Sequence, residues 1–162
     1  MLTMDHFLFA LTLLAALGCG LIAGVFFAFS SFVMKALARL PASAGIAAMQ
    51  SINIVVQRSW FMAVFLGTAV VCVLASIYSL FRSQEPGVVY LLVGSALYLV
   101  GSFLVTIVFN VPRNEALANL APTDSSSASS WSGYVASWTT WNHVRTLAAL
   151  AAATSFSIAL AY

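Results

Sequence analysis

The sequence predicts an all-α membrane protein, a four-transmembrane-helix bundle with a short interfacial helix between spans one and two. Two features of the composition support this fold class. Of the 162 residues, 62% are hydrophobic and only 6% are charged, a balance that soluble globular domains do not have. The third observation is the length of the uncharged stretches, since about 20 apolar residues are needed to cross the core of a bilayer.

Four stretches are long enough to cross, and together they form one integral membrane domain over residues 1–162. The predicted spans cover approximately residues 7–34, 59–81, 87–110 and 141–162. The first is expected to be retained as a helix, because the residues before it contain no Lys or Arg and its apolar run is about twice as long as that of a signal peptide.

The three connections differ in character. Residues 35–58 carry apolar side chains at helical intervals, which predicts a short amphipathic helix that lies along the membrane interface or packs on the bundle. The sequence RSQEPG at residues 82–87 predicts a tight turn. Residues 121–134 are rich in serine and poor in apolar side chains, which predicts a mobile loop.

An even number of crossings places the ends of spans one and three and the starts of spans two and four on the same face. Most of the cations lie there, namely Lys35, Arg39, Arg58, Arg113 and Arg145. Arg82 lies on the opposite face. By the positive-inside rule, the 35–58 and 110–141 loops are expected to be cytoplasmic and both termini outside, in a bacterial inner membrane.

The same parity brings polar side chains together on the cationic face. They include Ser30, Asn110, Arg113, Asn114, Glu115, Asn142, His143 and Arg145. The remaining histidine, His6, begins span one on the opposite face, roughly 30 Å away. A two-histidine metal site within one chain is therefore not expected, and Cys19 and Cys72 form no metal motif.

The segment WTTWNHVRT, residues 138–146, opens span four. Helical spacing places Trp138, Asn142 and Arg145 on one stripe and His143 on its neighbour. Ionisable residues at membrane depth are costly and usually face a protein interior or a wet cavity, which makes them site candidates. The alternative is structural: Arg145 extends to the headgroups, His143 lies in the interface, and Trp138 and Trp141 are aromatic anchors.

The segment NVPRNEAL, residues 110–117, is a second group of polar residues. Pro112 cannot donate a backbone hydrogen bond, so span three is predicted to stop or break there and to leave carbonyl groups without partners. Asn110 and Asn114 are suited to meet that need. In a purely structural role, the two asparagines would cap and bridge helix ends.

Three segments give the chain a resemblance to the anthrone oxygenase family of small four-span membrane proteins. They are AGVFFAFSSFVM in span one, FNVPRNEAL, and WTTWNHVRT followed by an alanine-rich last span. The similarity covers essentially the whole chain. It implies oxidation of a tricyclic anthrone, an apolar polyketide product, to an anthraquinone by molecular oxygen without an added cofactor.

The reaction that the resemblance implies needs a base and a partner for an oxyanion, and the chemistry of the available side chains suggests which residues fill these roles. His143 is expected to be the general base. Arg145 and Asn142, with Asn110, are expected to stabilise the enolate oxygen and a later peroxide, and Trp138 and Trp141 to stack on the flat substrate. The substrate-binding set is completed by Ser30, Arg113 and Asn114.

Two alternatives belong to other classes of protein. In the first, His143 is the single ligand of a haem or a metal ion inside the bundle. In the second, the chain is a non-catalytic scaffold or a subunit of a homo-oligomer, because the small residues of GCGLIAG and LAALAAA allow close helix packing. The expected partners are the lipid bilayer and a hydrophobic aromatic small molecule, and the six scattered cations do not suggest a nucleic-acid surface.

Overall fold

The computed structural model describes residues 6–82, 84–122 and 127–162, and all regular secondary structure in these ranges is helical. There are five helices in the described ranges: α1 His6–Ala38, α2 Ala42–Val56, α3 Trp60–Phe81, α4 Val88–Ala118 and α5 Ser127–Ala159. The connection between α1 and α2 contains Pro41, whose extended backbone precedes the first turn of α2.

Helices α1, α3 and α4 are long and apolar enough to cross a membrane. The chain is therefore all-helical and of membrane type, as the composition predicts. Helix α5 has 33 residues, which corresponds to about 50 Å of helix, but its first turns are rich in serine. That α5 forms a fourth span stays a prediction.

Helix α5 packs most extensively against α1 and α4, and small side chains line these contacts. Ala149 and Ala152 of α5 and Ala15 of α1 are fully buried in the main apolar cluster. Since lipid provides no hydrophobic driving force between helices, close approach through small residues is the main source of packing energy.

Helix α2 is the short helix predicted between spans one and two, and it packs against the bundle. Its Ile46 and Met49 are buried in a second apolar cluster with Leu117 and Trp131. The Gln50 side chain joins α2 to the end of α4, because Nε2 donates hydrogen bonds to the carbonyl oxygens of Leu117 at 2.9 Å and Leu120 at 3.0 Å.

The prediction of a mobile loop over residues 121–134 is wrong for the second half of that segment. Residues 123–126 lie outside the described part of the chain, but α5 begins at Ser127. The helix forms here because Trp131 and Tyr134 are buried, at 5% and 7% exposure, and because Trp131, Tyr134 and Trp138 recur at helical spacing on one face. The sequence prediction gave more weight to the serines of this segment than to the helical spacing of its aromatic residues.

Helix α4 does not stop at Pro112, so that prediction is also wrong. The π-helical turn Thr106–Asn110 ends just before the proline, and an α-helical segment starts at Val111. Proline is tolerated in a first turn because its missing N–H would have no partner there. The partner of the Phe109 carbonyl oxygen is Arg113 Nη1, at 2.6 Å, not an asparagine.

Candidate functional site

A cavity of about 390 Å³ lies between all five helices. Most of its wall is apolar and aromatic, with contributions from Phe26 and Phe29 of α1, Phe61 and Phe65 of α3, and Trp138 of α5. Pockets for small molecules usually measure about 300–1,000 Å³ and combine an apolar wall with a few polar groups. The volume and the wall both fit that description.

Arg145 is the buried cation of this cavity. Only 4% of its surface is exposed, and its guanidinium carbon lies 4.2 Å from the centre of the Phe26 ring and 5.1 Å from that of Trp138. Nη2 donates to Asn142 Oδ1 at 2.7 Å and Nη1 to Thr106 Oγ1 at 3.2 Å, whereas Nε has no acceptor. Arg145 forms no ion pair with a carboxylate among the described residues.

Asn142 lies behind Arg145 and joins α5 to α1. It is fully buried, and its Nδ2 donates to the Phe26 carbonyl oxygen and to Ser30 Oγ, both at 2.7 Å. Ser30 Oγ lies 3.2 Å from Thr146 Oγ1, which donates to the Asn142 carbonyl oxygen. Ser30 belongs to the π-helical turn Phe29–Val33, a type of turn that is common at functional sites.

The second polar group joins α4 to α5. Asn114 Oδ1 accepts hydrogen bonds from Tyr134 OH and from Trp138 Nε1, each at 2.9 Å. Asn110 is 1% exposed, and its Nδ2 donates to the Trp138 carbonyl oxygen at 3.3 Å. Hydrogen bonds thus hold Trp138 at its backbone carbonyl oxygen and at its indole nitrogen. The ring is fixed beside the Arg145 guanidinium.

The predicted site residues fall into three groups by position. Asn114, Trp138 and Arg145 line the cavity. Ser30, Asn110 and Asn142 lie behind that lining in the hydrogen-bond network. His143, Trp141 and Arg113 do not line the cavity.

His143 is exposed, so the expectation that its imidazole faces the interior is wrong. An α-helix turns by about 100° per residue. Because Asn142 and Arg145 face inward, the position directly after Asn142 is rotated out of the inward stripe and faces away from the cavity. A general base inside the cavity, or an axial ligand inside the bundle, cannot come from His143 at this position.

Trp141 and Arg113 also differ from expectation. The Trp141 ring stacks on Phe109, with 3.5 Å between ring centres and 9° between planes, so α4 covers its face. Arg113 is half-buried and bonds the Phe109 carbonyl oxygen. Trp141 thus belongs to the contact of α4 with α5, whereas the Arg113 bond lies within α4 itself.

Sequence reasoning did not select several polar residues that line the cavity, and Thr106 and Glu115 are two of them. Thr106 precedes Asn110 by four positions and therefore shares its helix face, which is the signal that would have found it. Glu115 is next to Asn114 in NVPRNEAL and was placed on the cationic face. It is the carboxylate of the cavity lining in the part of the chain that the structure describes.

The fold and the cavity define a helical protein of membrane type with an aromatic cavity, and one buried cation lines that cavity. The sequence model described as anthrone oxygenase matches residues 58–155, more than half of the chain. The chain therefore belongs to the anthrone oxygenase family. The match includes FNVPRNEAL and WTTWNHVRT, whereas AGVFFAFSSFVM precedes it. No curated protein and no solved structure matches the chain.

Proposed function

We propose that this protein is a membrane-embedded oxygenase that oxidises the methylene carbon of an apolar, anthrone-type ketone with molecular oxygen. The observation that carries the proposal is the Arg145 guanidinium, which is buried against an aromatic cavity and has no carboxylate partner among the described residues. A buried cation without a counter-ion is costly, and it is suited to a reaction that develops negative charge beside it. Membership in the anthrone oxygenase family supports the same chemistry.

The proposed reaction needs no reductant other than the substrate. Loss of one methylene proton leaves an enolate, and its carbon forms a bond to O₂ to give, after protonation, a hydroperoxide. Loss of the second hydrogen as a proton, with cleavage of the O–O bond, forms the new carbonyl group and one molecule of water. One oxygen atom is inserted and the other leaves as water, so the four electrons that O₂ accepts all come from the substrate carbon.

The residues of the cavity supply the binding and the electrostatics of this reaction. The rings of Phe26, Phe61 and Trp138 offer flat apolar surfaces to a tricyclic ligand. Arg145 faces the enolate oxygen, and its donors are oriented before the ligand arrives because Asn142 and Thr106 fix two of them. Fixed donors in a site of low dielectric stabilise a developing anion better than water does.

Arg145→Met tests this function. Loss of one fixed donor to a developing oxyanion typically lowers kcat by about 10²–10³, so we expect anthrone oxidation by the purified variant to fall by that factor. Removal of the buried charge offsets the loss of the hydrogen bond that Asn142 Oδ1 accepts, so thermal unfolding in detergent should occur close to the wild-type temperature.

Arg145→Lys retains the charge without the planar fork and should have intermediate activity. His143→Ala is the matched control, because its side chain is exposed on the same helix; it should retain wild-type activity. Anthrone oxidation by a correctly folded Arg145→Met protein at the wild-type rate would contradict the proposed function.

A further inference from the structure

The proposed reaction begins with removal of a proton from carbon, and the cavity lining limits which group can accept it. Among the described residues that line the cavity, the ionisable side chains are Arg145 and Glu115. Arginine stays protonated in proteins and has no acceptor atom, and His143 lies outside. We propose that Glu115 is the general base of this reaction, an inference that rests on the proposed function.

The backbone around Glu115 is held on both sides. On its N-terminal side, Asn114 accepts hydrogen bonds from Tyr134 and Trp138 of α5. On its C-terminal side, the Leu117 carbonyl oxygen accepts a hydrogen bond from Gln50 of α2. The carboxylate is therefore carried by a turn of α4 that α2 and α5 hold in place, as positioning of a catalytic group requires.

Glu115 is exposed although it lines the cavity, so it lies where the cavity opens. It forms no ion pair with a cation of the described residues, and the bond that Asn119 Nδ2 donates to it ends on the backbone oxygen at 3.1 Å. A carboxylate at the opening can contact a bound ligand and then release the accepted proton to water. In this step Glu115 therefore accepts the proton, and Arg145 stabilises the negative charge that remains on the substrate.

The proton transfer involves only these two residues and the substrate. The methylene proton moves to a Glu115 carboxylate oxygen, and the electron pair of the broken C–H bond moves to the ketone oxygen beside Arg145. The carboxylate is a weak base for a carbon acid, but the guanidinium lowers the energy of the enolate and so reduces the cost of the transfer. Water regenerates the carboxylate.

Deuterium exchange without oxygen isolates this step. Wild-type protein in detergent and D₂O is mixed anaerobically with anthrone, and exchange of the methylene protons is followed by NMR. Wild type should accelerate exchange, and Glu115→Gln should lower that rate by about 100-fold or more, because a general base typically contributes 10²–10⁴. Glu115→Asp should retain part of the rate, and His143→Gln should exchange like wild type.

Chemical rescue separates a lost base from a lost fold. Formate should restore exchange in Glu115→Ala because the side chain lies at the opening, and it should leave Arg145→Met unchanged. Exchange by Glu115→Gln at the wild-type rate would overturn the assignment of Glu115 alone. Aerobic oxidation by wild type without anaerobic exchange would overturn both that assignment and the enolate step. A wild-type protein that oxidises no anthrone would instead overturn the proposed function.

Discussion

Asn142 fixes the direction of the Arg145 guanidinium. Its oxygen accepts from Arg145 Nη2, and its nitrogen donates to the Phe26 carbonyl oxygen and to Ser30. One amide thus accepts a hydrogen bond from a buried cation on α5 and donates one to a backbone acceptor on α1. Buried polar groups of this kind stabilise a fold only when each has a partner, so the network depends on this side chain.

Asn142→Ala should lower both stability and activity. The change removes the acceptor of the Arg145 Nη2 donor and the side-chain donor to the Phe26 carbonyl oxygen in an apolar interior. Loss of one partner of a buried polar group costs about 1–3 kcal/mol, and more when the remaining group is charged. We expect unfolding in denaturant to show a loss of about 2–3 kcal/mol. Thr140→Ala, an exposed position on the same helix, is the control, and equal stability of the two variants would contradict the role of Asn142.

The orientations of single residues were only partly predictable. Spacing alone places Trp138, Asn142 and Arg145 on one stripe of α5, and all three are buried. His143 was assigned to the same site because its chemistry suits a base, but chemistry does not fix direction on a helix. A side chain one position from an inward stripe is rotated by about 100°.

At the scale of elements, the position of α2 depends on Gly45. A Cβ atom at this glycine would lie 2.7 Å from Cζ2 of the Trp131 ring, so the ring of α5 occupies the space that a side chain would need. Met49 and Asn53, one and two turns further along α2, line the cavity. The packing of Gly45 against Trp131 therefore sets how closely α2 approaches α5, and with it the position of the cavity wall that α2 forms.

Gly45→Ala should displace α2 and disturb the cavity. Overpacking of a tight contact costs about 1–3 kcal/mol, which should appear as earlier thermal unfolding, and substrate affinity should fall with it. Gly20→Ala in α1 is the matched control, since a Cβ there meets nothing within 4 Å. Alanine in a helix interior gains about 0.5–1 kcal/mol over glycine, so the control should be as stable as wild type or more so. Equal unfolding of the two variants would contradict the contact.

Element prediction succeeded where one signal dominated. Apolar runs identified α1, α3 and α4, and helical periodicity identified α2. It failed at the start of α5, where serines outnumber the apolar residues although Trp131, Tyr134 and Trp138 hold that turn in place. It also failed at Pro112, because a π-helical turn before the proline accommodates the missing donor and no sequence signal reports that turn.

At the scale of the whole molecule, burial changes the count of cations that determines orientation. Arg145 is buried in the site and so gives no information on membrane topology. Lys35, Arg39, Arg58 and Arg113 still outnumber Arg82. The positive-inside rule therefore gives the same orientation as before.

Cysteine labelling tests this topology and the fourth span together. Cys19 and Cys72 are fully buried, so a membrane-impermeant maleimide should report single cysteines introduced at the exposed positions Ser51, Gln84, Ser132 and Ala161. We expect Ser51→Cys and Ser132→Cys to react from the cytoplasmic side, and Gln84→Cys and Ala161→Cys from the other. Labelling of positions 132 and 161 from one side would show that α5 does not cross.

Arg145 has no carboxylate partner in the part of the chain that the structure describes, and this has a consequence for the end of the proposed catalytic cycle. Under the proposed function, attraction between the guanidinium and its guest is strongest while the guest carries negative charge. The finished diketone is neutral and keeps only the weaker hydrogen bonding of a ketone oxygen, so the attraction that held the enolate is lost by the end of the reaction. The cavity would then release the product into the surrounding lipid without a conformational change to expel it.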